Sequence, residues 1–394
     1  MHLLDTYALH CGLKVDKPYI YTLYYPLGIE RYITFQPFSN FAEKQYDYWN
    51  EVIGHLNPIL EDKSIKVVQI GAKDDAPMKQ CIWTQGTTKI SQAAYLIKNG
   101  ILHLGVDSFG AHVASGFSKK IVCLYSTNWA NNCRPYWSDP KDIRLFEPDR
   151  SESKPTFNHE EGPNKSINKI KPEDIANSVL ELLGSEDKVN KESVFFGDDI
   201  NKMKISLVPS SLTYSLKELG HLIDRMDLHF DEKILEAILQ SYESVSIITK
   251  KPIDIEIINK HKEKIQDVVY WVNKDNDIKF VKKLHSTGIN YILLTNLKGE
   301  KFSDLKFKYL DYNFIFQKVI NEEKKEKVLN FGKEKLLFKS RQKIVKDGKV
   351  YNSVASLNKE WEVEDMISEP CFDLIDEDDF WLDLEDFYIM KKLD

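Results

Sequence analysis

The stretch GVDSFGAHVASGFSKKIVCLYST, residues 105–127, decides the fold. It opens at the end of one apolar run, ILHLGV at 101–106, and closes in another, KIVCLYS at 120–126. Between them Asp107-Ser108-Phe109-Gly110 reads as a turn, and AHVASGF opens a helix. Strand, turn, helix and strand in that order form a βαβ unit of a parallel sheet. Ligands of such sheets bind beyond the carboxyl ends of the strands, which makes the Asp107 turn the first place to look for chemistry.

The same alternation extends outward. RYITFQPF at 31–38 is β-rich and ends at a proline; a loop and a helix follow, with Trp49, Val52, Ile53 and Leu56 on one face. IKVVQIGA at 65–72 reads as a short strand stopped by glycine, and Ile90, Ala93, Ala94 and Ile97 have helical spacing. PEDIANSVLELLG at 172–184 has the proline, first-turn acids and glycine stop of a capped helix. The polar stretch after 185 reads as a linker. Beyond it SVSIITKKP (244–252), DVVYWVN (267–273) and NYILLTNL (290–297) repeat the buried-strand pattern, with helical segments between them. Residues 335–357 read as a hairpin around Asp347-Gly348. The end mixes acids with large apolar residues, either a docked segment with a solvated acidic face or an acidic interaction tail. The expected organisation is an N-terminal segment (1–28), a Rossmann-like domain (29–188), a linker (189–204) and a second α/β domain (205–394).

Composition narrows the function. Of the 394 residues 42% are apolar, enough for a core in each half, and the formal net charge of −7 argues against a general nucleic-acid coat. The five cysteines, at 11, 81, 123, 133 and 371, include no C-x-x-C pair. Cys81 and Cys123 stand among apolar residues and read as small buried thiols. The N-terminus lacks a leader pattern and no run approaches the length of a membrane span. These features suit a soluble, cytoplasmic protein.

The turn at 107–112 has two readings. Asp107 or Ser108 could simply cap the following helix. Alternatively, the helix N-terminus offers amides and a positive dipole end to a phosphate, with Gly110 allowing close approach, Ser108 adding a hydroxyl and His112 a further donor. An aspartate beside a phosphate makes sense if it takes sugar or ribose hydroxyls, or orients neighbouring amides.

The order of elements around the turn resembles the C-terminal, donor-binding domain of the ADP-heptose:lipopolysaccharide heptosyltransferase family (glycosyltransferase family 9, GT-B fold). The landmarks run Ser39, Asn40, Lys44 and Trp49; VVQIGAKDD; Gly86-Thr87-Thr88; Asp107, Ser108, Gly110 and His112; LYST with Pro135-Tyr136; and the closing Pro-Glu helix. The resemblance implies a GT-B-like α/β fold of two Rossmann-like domains, here with a β-hairpin and an acidic C-terminal segment in the second. It places Ser39, Asn40 and Lys44 at the diphosphate, with Lys44 as a positive clamp. It places Asp107, Ser108, Gly110 and His112 along the donor sugar and diphosphate, and Asp74 or Asp75 near the ribose. Thr87 and Thr88 would touch the nucleotide or cap a helix, and Lys44 could equally be an exposed helix-start lysine. Phe109 departs from the pattern, because the family usually has glycine directly after the Ser/Thr.

The resemblance leaves out the family's acceptor domain, whose early aspartate serves as general base. Asp224, Asp227 and His229 in HLIDRMDLHFDE are candidates for that role, or else a solvated helix face. The expected activity is transfer of a sugar from a nucleotide-diphosphate donor to a hydroxyl acceptor, a saccharide or glycoconjugate. It would be inverting and need no metal or other cofactor. The rivals are a binding or scaffold module without catalysis and a glycosyltransferase acting on modified nucleic acid.

Overall fold

Burial by periodicity turns the apolar runs into strands and the stripes into helices. The computed structural model describes residues 1–157, 159–161, 165–197, 203–210, 220–273, 277–331, 336–362 and 372–393. The chain divides into two compact units, Met1–Ser193 with Leu393–Asp394, and Val194–Lys392. Both are Rossmann-like α/β units with largely parallel sheets, as the sequence predicts.

Unit 1 runs α1 (Leu3–Cys11), β1 (Tyr32–Gln36), α2 (Trp49–Asp62), β2 (Lys66–Gln69), β3 (Ile82–Trp83), α3 (Ile90–Asn99), β4 (Leu102–Val106), α4 (Phe109–Gly116), β5 (Lys120–Leu124), α5 (Ala130–Cys133), β6 (Ile143–Phe146) and α6 (Pro172–Leu183). The sheet is parallel in the order β3-β2-β1-β4-β5-β6. α3 and α4 cover one face through Leu96, Ile97, Ala111 and Ala114. α2 and α6 pack together and against β2, β4 and β5. Every residue of β1 and β4 is buried, the signature of a parallel sheet covered on both sides. β3 and β6, two and four residues long, are too short for pattern alone to mark them as strands. Ile90 shares the helical spacing of Ala93, Ala94 and Ile97 but, at the first turn of α3, is 76% exposed. The N-terminal segment lies on this unit, with His2 bonded to the Arg134 carbonyl and Ile20 packed where Gly116 leaves room for it.

Unit 2 runs β7 (Lys191–Phe196), whose second half from Val194 belongs to this unit, then β8 (Lys204–Leu207), β9 (Leu222–Arg225), α7 (Glu232–Ser241), β10 (Val245–Thr249), α8 (Ile255–Lys260), β11 (Ile265–Trp271), α9 (Ile278–Thr287), β12 (Tyr291–Thr295), α10 (Glu300–Lys308), β13 (Ile315–Gln317) and α11 (Glu322–Asn330). It ends with β14 (Leu336–Ser340), β15 (Gln342–Lys346), β16 (Lys349–Tyr351), α12 (Val354–Asn358), α13 (Phe372–Asp376), α14 (Asp378–Asp383) and β17 (Phe387–Lys392). The large sheet has the order β13-β12-β11-β10-β9-β8-β15-β16. From β9 to β13 the strands are laid down in one direction. Right-handed crossovers then put α7 to α10 on one face, where Leu235, Ile258, Leu284 and Leu305 meet Val245, Val268 and Leu293. Ile223, Ile248, Val269 and Leu294, on the opposite face, line a shallow cleft of about 530 Å³.

The hairpin forms as expected. β15 and β16 pair antiparallel across Asp347 (φ 49°) and Gly348 (φ 80°), the two positive φ values of a tight two-residue turn. The expected linker needs correction. Residues 191–196 are a strand, because Val194 and Phe196 bury against a satellite core and Phe196 stacks on Phe387 at 4.8 Å. The C-terminal segment is docked. β17 pairs with β14, and Phe380, Trp381 and Phe387 fill that satellite core, while residues 363–371 lie outside the described part. Phe380 has no exposed surface and touches three aromatic rings at 5.1 to 5.6 Å. Phe380→Ala is therefore expected to cost about 3–5 kcal/mol of unit 2 stability in urea unfolding. A free acidic tail would show no change.

Candidate functional site

Strand order in unit 1 reverses between β1 and β4: the chain moves outward through β2 and β3, then returns to the other side of β1. At such a reversal the connecting segments leave in opposite directions and open a crevice at the strand tips. The loop after β1 and the Asp107 turn after β4 meet there, around a cleft of about 550 Å³. Ser39, Asn40, Lys44, Asp107 and Ser108, all expected at a diphosphate, line it, and Phe41 and Phe109 line it as well.

The loop after β1 is held in place by aromatics. The Trp49 indole donates to the Pro37 carbonyl at 3.1 Å, Tyr46 donates to the Ile170 carbonyl, and the Tyr46 ring meets Tyr48 and Trp49 edge-on. Lys165 pairs with Asp47 at 2.6 Å. This scaffold buries Lys44 at the end of a short 3₁₀ turn, so it is not an exposed helix-start lysine. Its Nζ lies 2.8 Å from Asp107 Oδ2. The His112 Nε2 stands 3.6 Å from the other oxygen, Oδ1. Burial alone pushes the Asp107 carboxyl up. The His112 imidazole and the Lys44 ammonium outweigh that and hold it below the usual carboxylate range.

Two residues missed in the sequence build the turn. Gln36, the last residue of β1, accepts from the Gly110 amide at 2.7 Å and donates to the Ser108 hydroxyl at 3.2 Å. His103, wholly buried in β4, bonds Thr34 at 3.0 Å, and burial followed by the nearby His112 lowers its pKa to about 3. A Cβ on Gly110 would sit 2.5 Å from the His103 ring and 2.6 Å from the Gln36 carboxamide. Gly110 is thus required by packing, and its amide is engaged rather than free for a phosphate. The signal was legible: Gln36 and His103 are polar residues inside otherwise apolar strands. Ser108 occupies the cap position of α4 with extended backbone but makes no side-chain cap bond.

The expected nucleotide residues lie farther out. Asp75 caps its own loop by accepting from the Ala72 amide at 2.7 Å, and Asp74 is exposed. The Thr87 and Thr88 hydroxyls both donate to the Thr84 carbonyl, so they lock the turn before α3, whose cap is Lys89. Of these four residues Thr88 lines the cleft.

Residues 24–158 match the family model Glycosyltransferase family 9 (heptosyltransferase). The resemblance read from the sequence is therefore shown for this segment, about a third of the chain. Solved structures with likeness include a family 9 glycosyl transferase from Veillonella parvula (21% identity, 39% of this chain and 46% of that one, TM-score 0.34). Another is E. coli ADP-heptose lps heptosyltransferase II (20% identity, 45% and 50%, TM-score 0.31). A third is the E. coli heptosyltransferase WaaC with ADP (12% identity, 40% and 46%, TM-score 0.30). The chain spans about half the length of these structures. No curated protein matches it.

The candidates for a general base in unit 2 do not form a site. Asp224 is wholly buried on β9, and neither carboxyl oxygen has a hydrogen-bond partner among the described residues. Burial, then the Asp227 charge, push its pKa up to about 8. Asp227 is held by a two-pronged pair with Arg225 at 2.7 and 2.9 Å, and His229 is exposed. Asp224 belongs to β9 with its carboxyl in the core, whereas Asp227 and His229 follow the strand's end at Arg225. A raised carboxyl binds its proton more tightly in the folded state than in the unfolded one. Stability therefore falls as pH rises from about 4 to about 8. Asp224→Asn is expected to raise the melting temperature at pH 8, leave it nearly unchanged at pH 4 and preserve activity; a catalytic Asp224 would lose activity instead.

Proposed function

We propose that unit 1 binds a nucleotide-diphosphate sugar and that the protein is a glycosyltransferase passing the sugar to a hydroxyl acceptor, a saccharide or glycoconjugate. The observation that carries the reading is the placement of Lys44, Asp107 and Ser108 together at the switch point of a family 9 segment. In this reaction the acceptor oxygen attacks the anomeric carbon as the bond to the diphosphate oxygen breaks. The configuration inverts, the nucleoside diphosphate leaves, and the acceptor proton passes to a base. Lys44 meets the negative charge that grows on the leaving oxygen, and Asp107 accepts sugar hydroxyls, so no metal is invoked. A cytoplasmic setting suits four cysteines, Cys11, Cys81, Cys123 and Cys133, that form no disulfide among the described residues.

Two observations favour binding without catalysis: Lys44 is already paired with Asp107, and the Gly110 amide is occupied by Gln36. Turnover separates the two readings. The full chain is expected to gain thermal stability with a nucleotide sugar and its nucleoside diphosphate, and to release nucleoside diphosphate from the nucleotide sugar only when an acceptor is present. No shift with any of UDP, ADP or GDP and their glucose or mannose conjugates at millimolar concentration removes the reading. Binding with no turnover across an acceptor panel selects the module.

Lys44→Met alone would strand a buried carboxylate and is expected to destabilise the protein by several kcal/mol, about 3–5. The double variant Lys44→Met/Asp107→Asn removes both charges. It is expected to stay folded and to bind nucleoside diphosphate about 10- to 100-fold more weakly, the worth of one charge-assisted bond. Unchanged affinity in the double variant would show that the ligand does not use Lys44.

A further inference from the structure

Two large aromatic side chains stand partly in water on the walls of this cleft, and the chemistry above uses neither. Phe109, the first residue of α4, is 39% exposed; Phe41, three residues before Lys44, is 41% exposed. Both line the cleft that Lys44 and Asp107 share. The Lys44 Nζ lies 5.6 Å from the Phe41 ring centroid, and Phe109 lines the same cleft two residues after Asp107.

Neither ring serves the core: the cluster on this face of the sheet is built from other residues, Leu96, Ile97, Ala111 and Ala114 among them. The pairing of a carboxylate with an aromatic face selects among the parts of a nucleotide sugar. A phosphate is repelled by Asp107. A nucleobase can also stack on a phenyl ring and donate N–H groups to a carboxylate, but the ribose separates it from the diphosphate, whereas Asp107 shares Lys44 with the phosphate. A sugar ring uses both, because its hydroxyls donate to the carboxylate while its C–H face lies on the phenyl ring.

We propose that Phe109, assisted by Phe41, is the platform for the sugar ring of the donor and sets the preference for nucleotide sugar over free nucleotide. This deepens the diphosphate reading of the cleft and rests on it. The phenyl ring covers the face of the sugar, Asp107 takes hydroxyls at its edge, and Lys44 takes the adjoining phosphate.

The test compares ligands with and without the sugar on the full chain: UDP-glucose, ADP-glucose and GDP-mannose against UDP, ADP and GDP, by calorimetry. Phe109→Ala is expected to raise the Kd of the nucleotide sugar that binds about three- to tenfold, the worth of one aromatic contact, and that of its free nucleotide by less than about twofold. Phe109→Trp keeps a flat face and is expected to retain the ratio of the two affinities. A structural role for the ring would weaken both ligands together, and that result, or no change for the nucleotide sugar, overturns the platform. Failure of the unsubstituted protein to bind any of the six ligands overturns the diphosphate reading, and the platform falls with it. Binding of nucleotides with the sugar ratio untouched by Phe109→Ala overturns the platform alone.

Discussion

The ion pair between Lys44 and Asp107 is the constraint on which the candidate site depends. It joins the loop after β1 to the turn after β4 at 2.8 Å, across the point where strand order reverses. Both groups are nearly buried, so each needs the other: a buried ammonium or carboxylate without a counter-charge costs several kcal/mol. The pair therefore fixes the width of the crevice as well as its charge. It also limits how an anion can enter. At Lys44 a diphosphate meets a cation that is already matched, and it must take a share of the Lys44 donors while Asp107 keeps another. An ammonium with three hydrogens can do this, whereas a single-donor group could not.

That arrangement gives meaning to the rest of the turn. In a simple helix-terminus phosphate site the first amides of α4 would all point at the ligand. Here Gln36 takes the Gly110 amide and steers the Ser108 hydroxyl, and the buried, neutral His103 closes the space behind. The turn is thereby stiffened from within the sheet. Recognition shifts from bare amides to side chains: one shared cation, one carboxylate and two aromatic rings. Such a cleft is better matched to a ligand that combines charge, hydroxyls and an apolar face than to an inorganic anion.

The sequence made the fold of unit 1 legible because its strands are apolar on both faces and its helices carry single apolar stripes. ILHLGV, KIVCLYS and RYITFQPF needed no context to be recognised. β3 and β6 are short edge strands whose pairing partners, not their composition, make them strands. In the site, Asp107, Lys44, Ser39 and Asn40 could be placed by their position after strands. The part played by Gly110 could not, because it depends on two side chains that arrive from β1 and β4 across the sheet. A glycine at a helix start looks the same in sequence whether it admits a phosphate or a histidine ring.

The same limit explains why HLIDRMDLHFDE misled. Its acids and histidine are close in sequence, but they lie on and just after β9, where alternation sends Asp224 under the helices and leaves Arg225 to bind Asp227. Topology sharpens the contrast with Asp107. β4 borders a reversal of strand order, so the residue after it faces an open crevice. β9 stands within a run laid down in one direction, and α7 to α10 close over that side of the sheet. An aspartate at the end of a parallel strand is therefore a candidate for chemistry only where the strand order turns back. At β4 it does, and the carboxylate is met by a lysine on a cleft wall; at β9 it does not, and the carboxyl is held in the core with its proton.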